Sequence, residues 1–443
     1  MDCNKRTCSW DRISELPDEI LVSILSLLTL KEAARTSILS SRWRHVWKFF
    51  MGTMLFHYDE WQINWPQLVT QINQIITLHR GMSIEGFTIV LFENVYSVED
   101  IDYWIEFVAK KRVNRFHLIF GHKNTNCPPD AFTRIRFRPL SVNWNFESLK
   151  VVSLCRVNLI GGVKANVAMN DLLSNSPNLE QLYLHYLVGL SELLVPSSCF
   201  KLKELSVVRC YGLKKLGIFA QSIKAFHCTG VDRDIEIKGL HQIPYLRFGD
   251  RRNKWRTLSD LMAHLYRILP MCQLEKLSLD IWKLKQQNPL DVKQFGLPKL
   301  NYLQLTIAPR KGGDEMLSWM YLLEAAPFLH TLEIVFCWKD GFIQGLATFD
   351  MHMMQLNQGV KVVRVEQFLG LSSVDTRVVK TLIKYVKLLE KLTIVPYKNS
   401  ATSELPTLTD EMKKQMNDSI AQLCDKGFLP TGVELVIEKD LDG

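Results

Sequence analysis

The feature that most restricts what this chain can fold into is a short signature, apolar at the first, fourth and sixth positions, that returns twelve times after Phe50. The instances are Ile84/Phe87/Ile89, Val113/Phe116/Leu118, Leu149/Val152/Leu154, Leu179/Leu182/Leu184, Leu202/Leu205/Val207 and Ile223/Phe226/Cys228, followed by Ile243/Leu246/Phe248, Leu274/Leu277/Leu279, Leu300/Leu303/Leu305, Leu329/Leu332/Ile334, Val360/Val363/Val365 and Leu389/Leu392/Ile394. In an extended segment successive side chains point to opposite faces, so the fourth and sixth residues share one face. The first enters from the preceding turn and joins the same core. Such a unit leaves an apolar side bare until its neighbour covers it, so the units must stack in line. The expected product is an α/β architecture: a curved solenoid with parallel strands on the concave face and helices and loops on the convex face. Helical stretches are expected at Asn166 to Ser174, Thr257 to Leu269, Glu315 to Ala325 and Asp375 to Tyr385.

The start-to-start intervals run from 20 to 36 residues. They bracket, and sometimes exceed, the spacing of leucine-rich repeats. A regular repeat of that class carries Asn or Cys at its ninth position; here only Cys210 and Cys337 do, while Val157, Leu187, Trp282, Ala308 and Tyr397 stand in other units. The ladder is therefore incomplete. Hydrophobic residues at 47% and charged residues at 23% supply a sizeable core and exclude a mainly disordered or collagen-like chain.

Ahead of the repeats the pattern is helical. Pro17 sits where a first turn would begin, Asp18 and Glu19 suit the positive helix end, and Ile20, Leu21, Ile24, Leu25 and Leu28 recur on one stripe. Thr29 and Glu32 form a capping-box pair that opens a second helix bearing Ala33, Ala34, Ile38 and Leu39. Ser40 or Ser41 can cap a third, with Trp43 and Trp47 on one side. Three short helices cannot bury this much apolar surface among themselves. Either the rest of the chain or a partner polypeptide covers them.

The run from Asp11 to Trp47, with its Leu16-Pro17 opening, the Ile20/Leu21 pair and the closing Ser40-Ser41-Arg42-Trp43 with Trp47, resembles an F-box of the plant type. That resemblance implies docking on a Skp1-type adaptor and, through it, on a cullin scaffold and a RING-bound ubiquitin-conjugating enzyme. Carried over by position, the adaptor-facing residues are Leu16, Pro17, Ile20, Leu21, Ile24, Leu25, Leu39 and Trp43. The end of the chain resembles the FBD region of plant F-box proteins at Val360 to Glu366, Asp375 to Leu388, Leu388 to Ile394 and a late strand at Val433 to Glu438, with a polar loop at Lys398 to Asp410. The expected organisation is an F-box at 8–54, irregular leucine-rich repeats at 55–355 and an FBD-like C-terminal repeat or cap at 356–443.

On the outward side of the strands, the fifth positions read Ser153, Tyr183, Ser206, His227, Arg247, Ser278, Gln304, Glu333, Arg364 and Thr393. A nucleic-acid surface would be dominated by Lys, Arg and stacking aromatics, and the net charge of +8 is only mildly basic, so nucleic acid is not expected. A protein target fits this mixed row, with Tyr183, His185, Tyr186, His227, Tyr245, Arg247, Gln304 and Arg364 as candidate contacts. The other readings are a small-molecule or hormone co-receptor, which needs an enclosed basic pocket, and a nucleic-acid-binding solenoid. The basic runs Lys110-Lys111-Arg112 and Arg251-Arg252-Asn253-Lys254 read as solvated loops.

No phosphate-loop, zincin, nucleophile-elbow or dinucleotide motif is present, and Gly161-Gly162 and Gly312-Gly313 are turn glycines. The ten cysteines form no C-x-x-C pair, and Cys3 and Cys8 lack companion histidines, so no metal, cofactor or disulfide is expected. The N-terminus lacks a secretory apolar stretch and no window is long enough for a membrane span, so the expected setting is the cytoplasm, the nucleus or both. The resulting expectation is a non-catalytic substrate-recognition subunit of an SCF-type ubiquitin ligase.

Overall fold

The computed structural model describes residues 13, 15–91, 97–121, 133–135, 146–159, 162–231, 235–240, 242–249, 257–269, 271–281, 295–308, 319–338, 359–371, 373–398, 408–423 and 429–438. Trp282, Gly161, Gly312-Gly313, the Arg251 to Lys254 run, Cys3, Cys8 and most of the polar segment before Asp410 lie outside them. Two compact units divide the chain, 1–202 and 203–443.

Unit 1 opens with helix α1 (Asp18–Leu25), α2 (Leu30–Arg35) and α3 (Trp43–Val46). Its strands are β1 (Thr53–His57), β2 (Gly86–Leu91), β3 (Arg115–Phe120), β4 (Thr133–Ile135), β5 (Val151–Cys155), β6 (Val157–Leu159), β7 (Gln181–His185) and β8 (Glu192–Val195). The parallel sheet runs β1-β2-β3-β5-β7 in unshifted register, with Met54 beside Phe87, Phe87 beside Phe116 and Phe116 beside Val152. Helices Trp65–Leu78 and Val98–Lys110 fill the connections after β1 and β2, each started by a side-chain cap, Asn64 for the first and a Ser97–Asp100 capping box for the second.

Unit 2 contains β9 (Glu204–Val208), β10 (Lys215–Ile218), β11 (Ala225–Thr229), β12 (Glu236–Lys238), β13 (Tyr245–Gly249), β14 (Lys276–Ile281), β15 (Tyr302–Ile307), β16 (Thr331–Phe336), β17 (Val362–Phe368), β18 (Lys391–Pro396) and β19 (Glu434–Ile437). Its parallel sheet runs β9-β11-β13-β14-β15-β16-β17-β18-β19, while β10 pairs with β12 alongside. The pairing of β16 with β17 carries the sheet across the expected boundary near residue 356.

In all twelve units the fourth and sixth residues lie on strands of these sheets, the first lies two residues ahead of the strand, and every one of the three is buried. Seven strands carry no triad: β4, β6, β8, β10 and β12 of the short side sheets, and β1 and β19 of the long parallel runs. In register, β1 would begin its triad at the exposed Met51, and β19 at Gly432. The expected helices are present with shifted starts: Val163–Ser174, Leu258–Ile268 behind a Thr257–Asp260 capping box, Tyr321–Ala325 and Ser373–Tyr385. The first starts early because Gly162, at φ +56°, makes the turn into it.

The ninth position follows a common corner. Arg156, Tyr186, Arg209, Gly230 and Gln367, all at the eighth position, adopt positive φ. The Arg156 N–H donates to the His185 carbonyl at 2.9 Å and the Arg209 N–H to the Thr229 carbonyl at 2.7 Å, so each corner is latched to the next strand. That turn directs the next side chain inward, where Val157, Leu187, Cys210 and Phe368 are buried. Apolar bulk thus replaces the polar ladder of the regular repeat, and Cys337 is only half-buried.

The helical module is joined to the first repeat by backbone contacts. Arg80 N–H donates to the Lys48 carbonyl at 2.7 Å and Glu85 N–H to the Met51 carbonyl at 2.8 Å, while inside the module Met51 N–H donates to the Ser26 side-chain Oγ at 2.9 Å. Gly52 belongs to this seam: a Cβ there would stand 2.5 Å from the Ser26 carbonyl oxygen and 2.6 Å from the Phe50 ring. Beneath it, His79 is 4% exposed and its Nε2 lies 2.8 Å from the Phe50 carbonyl oxygen. Burial holds this imidazole neutral and drives its pKa down to about 4, assisted by the nearby Lys111 charge and opposed by the Phe50 hydrogen bond.

A pH dependence follows. Between pH ~6.5 and ~4 the unfolded chain binds a proton at His79 that the folded chain refuses. Stability contributed by neutral His79 is therefore complete above the unfolded pKa and is lost as the pH falls through that window, by about 3 kcal/mol in all. Denaturant unfolding of wild type and His79→Gln at pH 7 and pH 4.5 should show a steeper acid loss in the wild type; parallel losses would remove His79 as the cause.

Candidate docking surfaces

The helical module sorts its apolar residues into two sets. Pro17 opens α1 and the Asp18 and Glu19 charges occupy its first turn. Arg42 then clamps the start of that helix, donating from Nε and Nη2 to Asp18 Oδ1 at 2.9 and 2.6 Å. The Thr29–Glu32 capping box forms, and the Thr29 N–H bond holds the Glu32 carboxyl below its ordinary range. Ser40 Oγ accepts from the Trp43 N–H at 3.4 Å.

With these ends tied down, Leu21, Val22, Leu25, Leu30, Ala33, Trp43 and Val46 pack inward. Of the expected adaptor-facing set, Leu21, Leu25 and Trp43 are therefore buried within the chain. Leu16 is half-buried, whereas Pro17, Ile20, Ile24 and Leu39 are exposed. The exposed set also includes Leu27, Leu28 and Ile38, the last 86% exposed because α2 ends at Arg35 and continues as a 3-10 turn over Thr36–Ile38. Ile38 and Leu39 are therefore displayed rather than packed, contrary to the reading of one continuous second helix.

The outward sheet residues are less free than their sequence positions imply. In unit 1, Tyr183 and His185 make an edge-to-face pair at 6.1 Å. Tyr186 serves as a corner residue at φ +55°, with the Arg156 guanidinium over its ring at 5.4 Å. In unit 2, the fifth positions from His227 to Thr393 stand side by side in register. Tyr245 packs edge-on against His227 at 5.1 Å and reaches Ser278 Oγ at 3.4 Å. Arg247 Nη2 lies 3.5 Å from Asp280 Oδ1. Gln304 donates to Glu333 Oε1 at 2.7 Å, while the Tyr302 hydroxyl donates to Glu333 Oε2. Burial and this bond keep the Tyr302 proton in place far above the ordinary phenol range.

Arg364 is committed inside the chain. It donates to Glu366 at 2.8 Å and reaches across β18 to Glu438, with bonds of 2.5 and 2.8 Å to the two carboxylate oxygens. Its side chain rivets β19 to the sheet rather than standing open to a target. Arg364→Ala is expected to raise amide exchange across Glu434–Ile437 by ~10-fold or more, with β14 and β15 unaffected. Unchanged exchange there would show that the rivet carries no load.

Sequence reasoning passed over Asp280 and Tyr302. Both lie on the outward side, at the seventh and third positions of their units, and a full reading of those two rows would have found them. The basic run at Lys110 is structural in part: Lys110 pairs with Glu106 at 2.6 Å and Lys111 Nζ donates to the Gly81 carbonyl at 2.8 Å. Among the described residues no cluster could hold a metal ion, and no helix is long and apolar enough to cross a membrane. Burial pushes the Cys199 thiol up to about 11 and raises Cys155 and Cys228 as well, which keeps these thiols protonated and poorly nucleophilic at neutral pH.

Comparison with known proteins agrees with this arrangement. The F-box domain profile matches residues 13–51, and the profile described as At1g61320/AtMIF1, LRR domain matches residues 131–414. The chain is 29% identical over 208 residues to the Arabidopsis thaliana F-box protein At4g09920, covering 42% of this chain and 63% of that protein. It is 33% identical over 130 residues to the FBD-associated F-box protein At4g10400 of the same plant, covering 28% and 31%. With the F-box/LRR-repeat protein At3g03360, also from that plant, it shares 26% identity over 353 residues, covering 73% and 70%. The first two matches span less than two thirds of those relatives' lengths. An N-terminal module with an F-box match and a long series of strand repeats with a leucine-rich-repeat match place this chain in the family of plant F-box/leucine-rich-repeat proteins.

Proposed function

We propose that this chain is the non-catalytic substrate receptor of an SCF-type E3 ubiquitin ligase, acting in the cytoplasm, the nucleus or both. The F-box docks on a Skp1-type adaptor, and through it on cullin and RING subunits, while the strand face of the repeats holds a target protein. The C-terminal strands from β17 onward serve as an FBD-like cap that covers the last repeat.

The observation that carries this reading is the exposed apolar set Ile20, Ile24, Leu27, Leu28, Ile38 and Leu39 on a module whose core is made by Leu21, Val22, Leu25, Leu30, Ala33, Trp43 and Val46. Anchors of this kind at helical spacing suit a groove on a partner protein. The mechanism is proximity: a target held by the repeats meets the loaded conjugating enzyme at high effective concentration, and no residue of this chain touches the reacting bond. The test is titration of the full chain with a purified Skp1-type adaptor by calorimetry, where a saturable one-to-one complex is expected. No heat and no co-migration on gel filtration would end this reading.

A further inference from the structure

We infer that the strand face of unit 2 holds a socket for a basic side chain, arginine or lysine, of the target protein, with Asp280 as the group that receives it. This deepens the receptor reading and rests on it. Asp280, at the seventh position of the β14 unit, is 5% exposed, and its Oδ1 is buried without a hydrogen bond. Its neighbouring cation, Arg247 Nη2, stands 3.5 Å away on a side chain that is 38% exposed, too far and too poorly aligned to donate. A second buried carboxylate on the same face, Glu333, has both oxygens filled by Tyr302 and Gln304. The contrast matters because a buried carboxylate oxygen without a donor is unfavourable, and a cation brought by a ligand relieves it.

The surroundings fit such a guest. Gly249, beside Asp280 on β13, lets the two strands pack closely at this point, since a Cβ there would stand 2.4 Å from the Asp280 Cβ. Tyr245, two outward positions earlier on the same strand, is braced by His227. A guanidinium or ammonium group reaching Asp280 can donate to its carboxylate. Arg247 is the displaceable resident: half-exposed, it moves aside when the target's cation takes its place.

The experiment pans a phage library of random twelve-residue peptides against the full chain bound to its adaptor, then measures the selected peptides in solution. The expected outcome is enrichment of Arg or Lys at one position, with affinity falling at least ~10-fold on Asp280→Asn and on replacing that arginine by citrulline. Arg247→Ala should leave affinity equal or higher, because it removes a competitor; a merely structural Asp280–Arg247 pair would make both variants weaken binding alike. Thermal unfolding of each variant checks that the sheet is intact. Peptides without a basic preference, peptides indifferent to Asp280→Asn, equal loss in both variants or no selected peptide at all would overturn the socket. Adaptor capture by the same preparation is scored separately, so failure of the receptor reading is told apart from failure of the socket.

Discussion

Ile20→Asp combined with Leu39→Asp should abolish capture of a Skp1-type adaptor and leave the fold intact. Both side chains are displayed, at 47% and 64% exposure, so neither substitution opens a cavity. Ile20 is the third residue of α1, next to Asp18 and Glu19, where another carboxylate suits the positive helix end. Leu39 follows the 3-10 turn, where Asp is well tolerated. In a docked complex the same two carboxylates would be buried without partners, and two such penalties amount to ~10³-fold or more in affinity. Calorimetric titration and thermal unfolding, run together, read both halves of the claim. Undiminished affinity in the double variant would move adaptor docking to another surface. Substituting Leu21 or Trp43 is a poorer test, because those side chains hold the module together and their loss confounds folding with binding.

Phe87→Ala should cost unit 1 about 3–5 kcal/mol, the range for deleting a fully buried aromatic ring. Phe87 is inaccessible and central, with ring centroids 5.8 Å from Phe56 on β1, 6.4 Å from Phe116 on β3 and 5.4 Å from Phe107 on helix Val98–Lys110. It therefore links the strand that follows the F-box to the first repeats. In stacked repeats stability passes between nearest neighbours, so the loss spreads to the adjoining units before it spreads further. Denaturant unfolding followed by hydrogen exchange should show β1, β2 and β3 losing protection first, with unit 2 retaining it. A loss below ~1 kcal/mol would mean that the neighbouring rings close over the gap.

How far the candidate surfaces could be read in advance differs between the two. An apolar surplus on the helical module was legible because apolar residues at helical spacing exceeded what three short helices can cover. Which of them face out was not. At about 100° per residue, Ile20, Leu21, Ile24 and Leu25 span a broad arc on α1, and Val22 extends it. Only packing decides where that arc divides, and here Arg42, clamped on Asp18, together with the Ser26 bond to Met51 turns Leu21, Val22 and Leu25 inward. The strand face shows the same limit. Its row of fifth positions was readable, but Arg364 and Glu438 lie 74 residues apart in sequence, and Gln304 and Glu333 lie 29 apart. Such pairs exist only once strand register is set.

The sequence by itself determined the repeat architecture, since alternation on a strand forces the fourth and sixth residues into one core and stacking is the only way to cover it. It also determined the helix starts that carry a capping pair, such as Thr29–Glu32 and Thr257–Asp260, because such pairs are local. Tertiary structure alone decided the strands without triads, among them β1 and β19, whose neighbours recruit them by backbone pairing, and the split of α1 into a packed and an open side. It alone decided, too, which outward polar groups are satisfied within the chain and which, like Asp280, are left facing a donor the fold does not provide. Local rules act through neighbours in sequence; burial and charge pairing act through neighbours in space.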